Sequence, residues 1–349
     1  MISNRLKIRW RHLAIVGMLV FLALIPFNWF LGQYTSLVIF IGISTMVTVG
    51  LCLLLGYTGQ VSLGQAAFYG MGAYFSAVLT KGYGFNPWLA MCIGAAATGT
   101  FAYIIGYPIF RLRGNYLAMA TLGLGLVMYV LFRQLTQFTG GPDGMAGIPF
   151  LSAGNFVFDT PFKRYYLVWG FTLAVLLLSQ NMVRSRIGRA LRAVHGSEEA
   201  AESLGVNVTQ FKVKIFVLSA VYASLAGSLF VHHLRFVSPQ PFDFLASVII
   251  VVMAVVGGLA SIWGAIFGAA TIQLLSNELL LGFGKLDIAV YGLILVLVMI
   301  FMPEGVFVKL KQVYAARRET AGRLLPARLK RAAPTTAGPP VEREESSFD

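Results

Sequence analysis

Apolar residues run in blocks of roughly 20 along most of this chain, with short polar breaks between them, and about 20 apolar residues is what a helix needs to cross a bilayer core. The blocks lie near 13–31, 35–55, 61–80, 87–107, 116–135, 165–183, 215–233, 244–259, 262–281 and 287–303. They predict an all-α polytopic membrane protein with about ten transmembrane helices. Before residue 303 the longer polar stretches are those around 138–164 and 184–214, too few for a large soluble enzyme. The organisation expected is a basic N-terminal segment over 1–12, a membrane domain over 13–303 and a tail over 304–349.

One block is unusually loose. GYTGQVSLGQAAFYGMGAYFSAVLT, residues 56–80, carries five glycines together with Gln60, Ser62 and Gln65. Irregular backbone survives at membrane depth only where protein or a water-filled cavity surrounds it. Gly56 and Gly59 therefore predict a broken or re-entrant segment near 56–65, facing a pathway or the protein interior. From Ser62 onward a half-helix is expected, with Ser62 and Gln65 on one face and free N–H groups suited to a carboxylate. Packing offers a competing explanation. Ala66 with Gly70, and Gly264 with Gly268, are small-x-x-x-small pairs that let helices approach closely. Ser62 and Thr121 could equally bond their own helix backbones. For Gln60, Ser62 and Gln65 both readings stay open.

Charge adds orientation. The 349 residues are 57% hydrophobic and 12% charged, with a formal net charge of +13. With the N-terminus inside, 21 basic residues fall on the cytoplasmic side and 6 outside, the latter being Lys81, Arg133, Lys163, Arg164, Arg235 and Lys285. The positive-inside rule then puts both termini in the cytoplasm. The net charge reflects topology, not nucleic-acid binding. Arg5 to Arg11 precede 13–31 as in a signal peptide, but no small-x-small cleavage site follows, so this is read as a retained span. Trp29, Trp88 and Trp169 lie near predicted span ends, where interfacial anchors belong. The basic stretch 309–331 suits anionic membrane lipids, and the residues after it read as disordered.

Candidate chemistry is sparse. The sequence has no G-x-x-x-x-G-K-[ST] and no H-E-x-x-H, and His12, His195, His232 and His233 are not grouped with carboxylates and a nucleophile. Cys52 and Cys92, inside apolar blocks without metal-ligand spacing, are expected to be buried inert thiols. No catalytic residue, metal or cofactor is expected. Glu278, with Gln273, Ser276 and Asn277 nearby, is the acid well inside a predicted span, read as lining a pathway, as a structural hydrogen-bond partner or as exposed at the outer rim.

The polar stretch RSRIGRALRAVHGSEEAAESLGVNVTQFKVKI, 184–215, is patterned as two short helices. Ile187, Leu191 and Val194 recur at helical spacing among arginines, and 197–205 closes at Gly205. Its Glu199, Ala200, Ala201 and Gly205 form E-A-A-x-x-x-G, which resembles the ATPase-coupling motif of ABC importer permeases. Ile215 stands where that pattern has an isoleucine, while Val217 and Leu218 replace its Leu-Pro. GYTGQVSLGQAAFYGMGAY (56–74), RLRGNYLAMATLGLG (111–125), TGGPDGMAGIP (139–149), FVSPQPFDFLASVIIVVMAVVGGLASIWGAIFGAA (236–270) and FMPEGVF (301–307) are similar to LivM-type branched-chain amino acid permeases. Relatives commonly have histidine where this chain has Gln65.

The resemblance implies a permease subunit in a bacterial inner membrane, moving branched-chain or other hydrophobic amino acids inward. It also implies a second homologous permease, two cytoplasmic subunits that bind the ATP, and a periplasmic or lipid-anchored binding protein that meets the outer face, with 138–164 a candidate contact. Gln60, Ser62, Gln65, Thr121 and Glu278 are the candidate pathway residues, and Glu199, Ala200, Ala201 and Gly205 the candidate coupling residues. Urea or short amides are alternative solutes, a stand-alone channel or ion-coupled carrier is the rival class, and a membrane enzyme is the least supported.

Overall fold

Uniform apolarity decides which helices sit at the centre. The computed structural model describes residues 34–276 except Arg113 and Asn155, together with Leu293. The expected span 13–31, the span 287–303 apart from Leu293, Glu278, and the segments 1–12, 301–307 and 309–349 lie outside the described residues. Helix α1, Thr35–Leu51, has no polar stripe and runs on through a π-type turn, Cys52–Gly56. A helix that is apolar all round belongs in an interior, and 83% of its apolar window is buried.

The chain continues as α2 (Gln65–Ala77, extended by the turn Val78–Gly82), α3 (Pro87–Ile109), α4 (Asn115–Gln134), α5 (Thr136–Thr139), α6 (Pro161–Arg184), α7 (Arg186–Gly196), α8 (Glu198–Ser203), α9 (Val208–Leu234), α10 (Phe244–Gly257) and α11 (Gly264–Leu274). Many starts are fixed locally. Asn86, Thr160, Ser185, Ser197, Asn207 and Asp243 each accept a first-turn backbone N–H, and Pro87 and Pro161 follow two of them.

Among the described residues, five helices are long and apolar enough to cross a membrane: Thr35–Gly56, Pro87–Ile109, Asn115–Gln134, Pro161–Arg184 and Val208–Leu234. The eighth expected span forms only the 14-residue α10, about 21 Å at 1.5 Å per residue, short of a roughly 30 Å hydrocarbon core. It folds back on α11 as a hairpin. A Cβ on Gly264 would strike the Gly257 carbonyl, and one on Gly268 the Met253 carbonyl.

Close approach at small residues recurs, as expected where helices lack a hydrophobic drive to associate. A Cβ on Gly72 would collide with the Ser224 backbone, and one on Gly227 with the Tyr69 carbonyl, so α2 and α9 cross nearly backbone to backbone. Ser228 Oγ donates to Gly72 O across that crossing (3.1 Å). Helix α6 lies against α1, with Thr172 Oγ1 donating to Gly42 O (3.1 Å) and Trp169 Nε1 to Val38 O (3.2 Å).

Two sequence expectations fail here. Trp169 is not an interfacial anchor, because α6 starts at Pro161 and carries it two turns inward, where it is buried. Cys92 is exposed, not buried, because α3 turns Ala90, Met91, Gly94 and Thr98 inward and leaves Cys92 on the outer face. Cys52 is buried. At the end of the bundle opposite α7 and α8, short antiparallel pairs join β1 (Met145–Ala146) to β4 (Phe236–Val237) and β2 (Ser152–Ala153) to β3 (Phe156–Val157).

The α2–α9 crossing sets a test. Gly72→Val should cost more than the about 1–3 kcal/mol of ordinary overpacking, because the obstacle is backbone, and should abolish the monodisperse peak in detergent size-exclusion chromatography. Gly123→Ala, with nothing within 4 Å of its Cβ position, should leave that peak and the melting temperature unchanged.

Candidate functional site

Between α1 and α2 the chain is helical to Thr58 and irregular over 59–64. A buried break must find partners for its backbone groups, and several are in place here. Gly59 N donates to Leu55 O (3.1 Å) and Gln60 N to Leu54 O (3.2 Å). Leu63 N donates to Thr121 Oγ1 (3.1 Å) and Ala66 N to Ser247 Oγ (3.1 Å). Gly59 takes φ +71°, and a Cβ there would meet the His195 ring at 3.0 Å. Gly56 has no room for a side chain against the Leu259 carbonyl, and Tyr57 Oη donates to Ala260 O (2.7 Å). The break after α1 thus packs on the turn between α10 and α11.

Helix α2 starts at Gln65, not at Ser62, since Leu63 and Gly64 are drawn to Thr121 on α4. Ser62 and Gln65 therefore do not share a helical face. Both are 1% exposed. Gln65 Nε2 donates to Ser219 Oγ (2.8 Å), whereas Gln65 Oε1 and Ser62 Oγ are buried without a partner among the described residues. Thr121, also buried, donates to Ala118 O (3.0 Å) while accepting from Leu63 N. Glu278 lies outside the described residues.

The 184–214 stretch forms α7 and α8. Val194, Ala201 and Val208 make a small apolar core beneath them, and Gly205 takes φ +81° to turn the chain into α9. Glu199 and Ala200 are exposed and Ala201 is buried. Leu204 is 81% exposed, far more than a loop leucine needs. The neighbouring Glu198 turns inward. Its Oε1 is 2.6 Å from Lys212 Nζ, whose side chain is only 3% exposed, and accepts from Gln60 Nε2 (3.2 Å). Gln60 Nε2 also donates to Thr58 O (3.1 Å). Gln60, read from sequence as a pathway residue, thus touches the α8 N-terminus.

Sequence reasoning missed Glu198 and Lys212. The signal was present: Val208, Lys212, Ile215 and Ser219 follow one helical face, and a lysine on a face that is otherwise apolar or small needs a partner. It also missed Asp243, which caps α10 by accepting from Ala246 N (2.9 Å).

At the opposite end His232 anchors the 138–160 loop. Pro149 O, which can only accept, lies 2.7 Å from His232 Nδ1, so Nδ1 carries the proton. His232 Nε2 then accepts from Ser76 Oγ at 2.9 Å. Arg235 Nε donates to Ile148 O (3.1 Å), and the guanidiniums of Arg164 and Arg235 both stack on Phe150. Asp159, on the surface, accepts from Lys163 Nζ at 2.8 Å, and that hydrogen bond holds its carboxyl below the usual range. Among the described residues no group of three metal-ligating side chains occurs.

Small-residue crossings, long apolar helices and a compact polar hairpin define a multi-pass membrane protein. Residues 33–303 match the family described as branched-chain amino acid transport system, permease component. The chain is 32% identical over 298 residues to the high-affinity branched-chain amino acid transport system permease protein LivM of Salmonella typhimurium, covering 79% of this chain and 68% of that one. LivM of Escherichia coli gives the same identity and coverage. Escherichia coli LivH is 27% identical over 300 residues, 80% of this chain and 96% of that one. The chain belongs to this family and is the permease subunit of a multi-component ABC importer.

The His232 anchor is open to test. His232→Phe removes both hydrogen bonds, at a cost of about 1–3 kcal/mol for the groups left unpaired. Limited proteolysis of the purified chain should then cut within 138–160 several-fold faster than in the wild type, while cleavage within 184–214 stays unchanged.

Proposed function

We propose that this subunit carries branched-chain or other hydrophobic amino acids into the cytoplasm of a bacterium. It would sit in the inner membrane with about ten transmembrane helices and both termini cytoplasmic. A second homologous permease completes the pathway, two cytoplasmic subunits bind the ATP, and a periplasmic or lipid-anchored protein delivers solute. The subunit has no ATPase site or cofactor of its own. Support for the solute comes from the names of the LivM and LivH relatives and from the family description.

The observation that carries the reading is the α7–α8 hairpin. Its inner face has its own apolar core, while Leu204 stands 81% exposed beside Glu199 and Gly205. An exposed apolar knob on a polar hairpin is what a groove on an ATPase subunit would grip. Solute passes near the N-terminus of α2, where Ser62 Oγ and Gln65 Oε1 are buried polar atoms without a partner among the described residues and Thr121 lies close by. Glu278 is the further pathway candidate. ATP-driven closure moves the hairpin and switches the permease pair between outward- and inward-open states.

The experiment is co-purification of the tagged chain from its native neighbourhood, followed by uptake in proteoliposomes. Two ATP-binding subunits and a second permease should accompany it, and uptake of leucine should require ATP. Glu199→Lys and Gly205→Pro, the latter forcing proline where φ is +81°, should each lower uptake at least about tenfold with normal membrane insertion. ATP-independent uptake by the chain alone would overturn the reading in favour of a carrier.

A further inference from the structure

The α7–α8 hairpin and the 59–64 break are far apart in sequence yet joined by a charge cluster built on the buried Lys212. Lys212 projects from the second turn of α9 and is 2% exposed. A buried ammonium is tolerated only with a close counter-charge, and Glu198, at the first position of α8, supplies it at 2.6 Å. Pulling α8 away from α9 would leave that ammonium unpaired, so the ion pair makes α8 and the start of α9 move as one body. The same Glu198 oxygen accepts from Gln60 Nε2, and Gln60 follows Gly59, whose left-handed φ of +71° makes it the place where the break turns. The His195 ring, from the end of α7, closes over Gly59 at 3.0 Å from where a Cβ would stand.

Beyond Gln60 there is little slack. Leu63 N is held by Thr121 and Ala66 N by Ser247, so displacement of Gln60 reaches the N-terminus of α2 within five residues. Gln60 Nε2 can also fall back on Thr58 O, which gives the amide a second partner if Glu198 leaves.

We infer that the Glu198–Lys212 ion pair, with Gln60 as its third member, is the positioning element that hands displacement of the α7–α8 hairpin to the 59–64 break and so to the N-terminus of α2. This rests on the importer reading above, since it is partner ATPases that move the hairpin.

The test measures leucine taken up per ATP hydrolysed, and the KM for leucine, by the co-purified complex in proteoliposomes. The chains compared are wild type, Gln60→Leu, Glu198→Lys, Lys212→Glu and the exchanged pair Glu198→Lys/Lys212→Glu. The relay predicts that Gln60→Leu lowers uptake per ATP about tenfold at unchanged KM. The two single charge changes should lower it as far, and the exchanged pair should recover most of the loss. Wild-type stoichiometry in Gln60→Leu would overturn the relay, as would a raised KM, which would make Gln60 a solute contact. Failure of Gln60→Leu to assemble would do the same, by making the amide a structural prop. If the charge variants do not fold, Gln60→Leu alone decides. A wild-type chain that purifies without ATPases would instead overturn the importer reading, a result visible before any variant is measured.

Discussion

Hydrocarbon offers nothing to a polar backbone group, and this bundle is organised by that constraint. Its two internal breaks, 59–64 and 258–263, are placed where each satisfies the other or is satisfied by a neighbouring helix. Tyr57 reaches across to Ala260 O, and Gly56 lies flat against Leu259. Gly258 turns with φ +95°, while Ser261 returns a side-chain oxygen to Gly264 N at 3.1 Å. Neither break could stand alone in a membrane. Each therefore fixes the position of the other, and α1 and the α10–α11 hairpin are brought together by their interruptions as much as by their apolar faces.

Helix α9 is the member that ties this arrangement to both ends. On one side Lys212 binds Glu198 of the hairpin. On the other, His232 holds Pro149 O and Arg235 holds Ile148 O. Between them α9 crosses α2 at Gly227 and Gly72, and Ser219 receives the Gln65 amide. A rigid rod fixed at both ends to loops, and in backbone contact with a broken helix in the middle, cannot shift without repacking that helix. Close-packed interfaces of this kind switch between discrete arrangements and do not deform gradually.

Much of this was legible in the sequence. Apolar block length located the long helices, while the caps that fix their starts, such as Asn86 and Thr160, emerge from the structure. Gly56 and Gly59 signalled the break, and the repeated small residues at Gly264 and Gly268 signalled close packing. What periodicity could not supply was depth and partner. A 14-residue α10 and a full span are hard to tell apart in a continuous apolar run. Nor does spacing say that Gln60 meets Glu198, 138 positions away, in preference to a solute. The same blindness explains Cys92, whose exposure depends on which face of α3 finds a neighbour.

The length of α9 gives the charge cluster its meaning. Its 27 residues make a rod of about 40 Å, some 10 Å longer than a hydrocarbon core. The surplus is expected at the Val208 end, where the exposed Lys214 lies, since lysine heads seek the interface or beyond. A surplus of about 10 Å is about two turns of helix, and the rest stays clamped in the bundle. Force applied to the hairpin acts on the exposed end of a long rod through Lys212, and acts on the α1–α2 break through Gln60. Both routes start at one carboxylate, that of Glu198, which turns inward while Glu199 beside it is exposed.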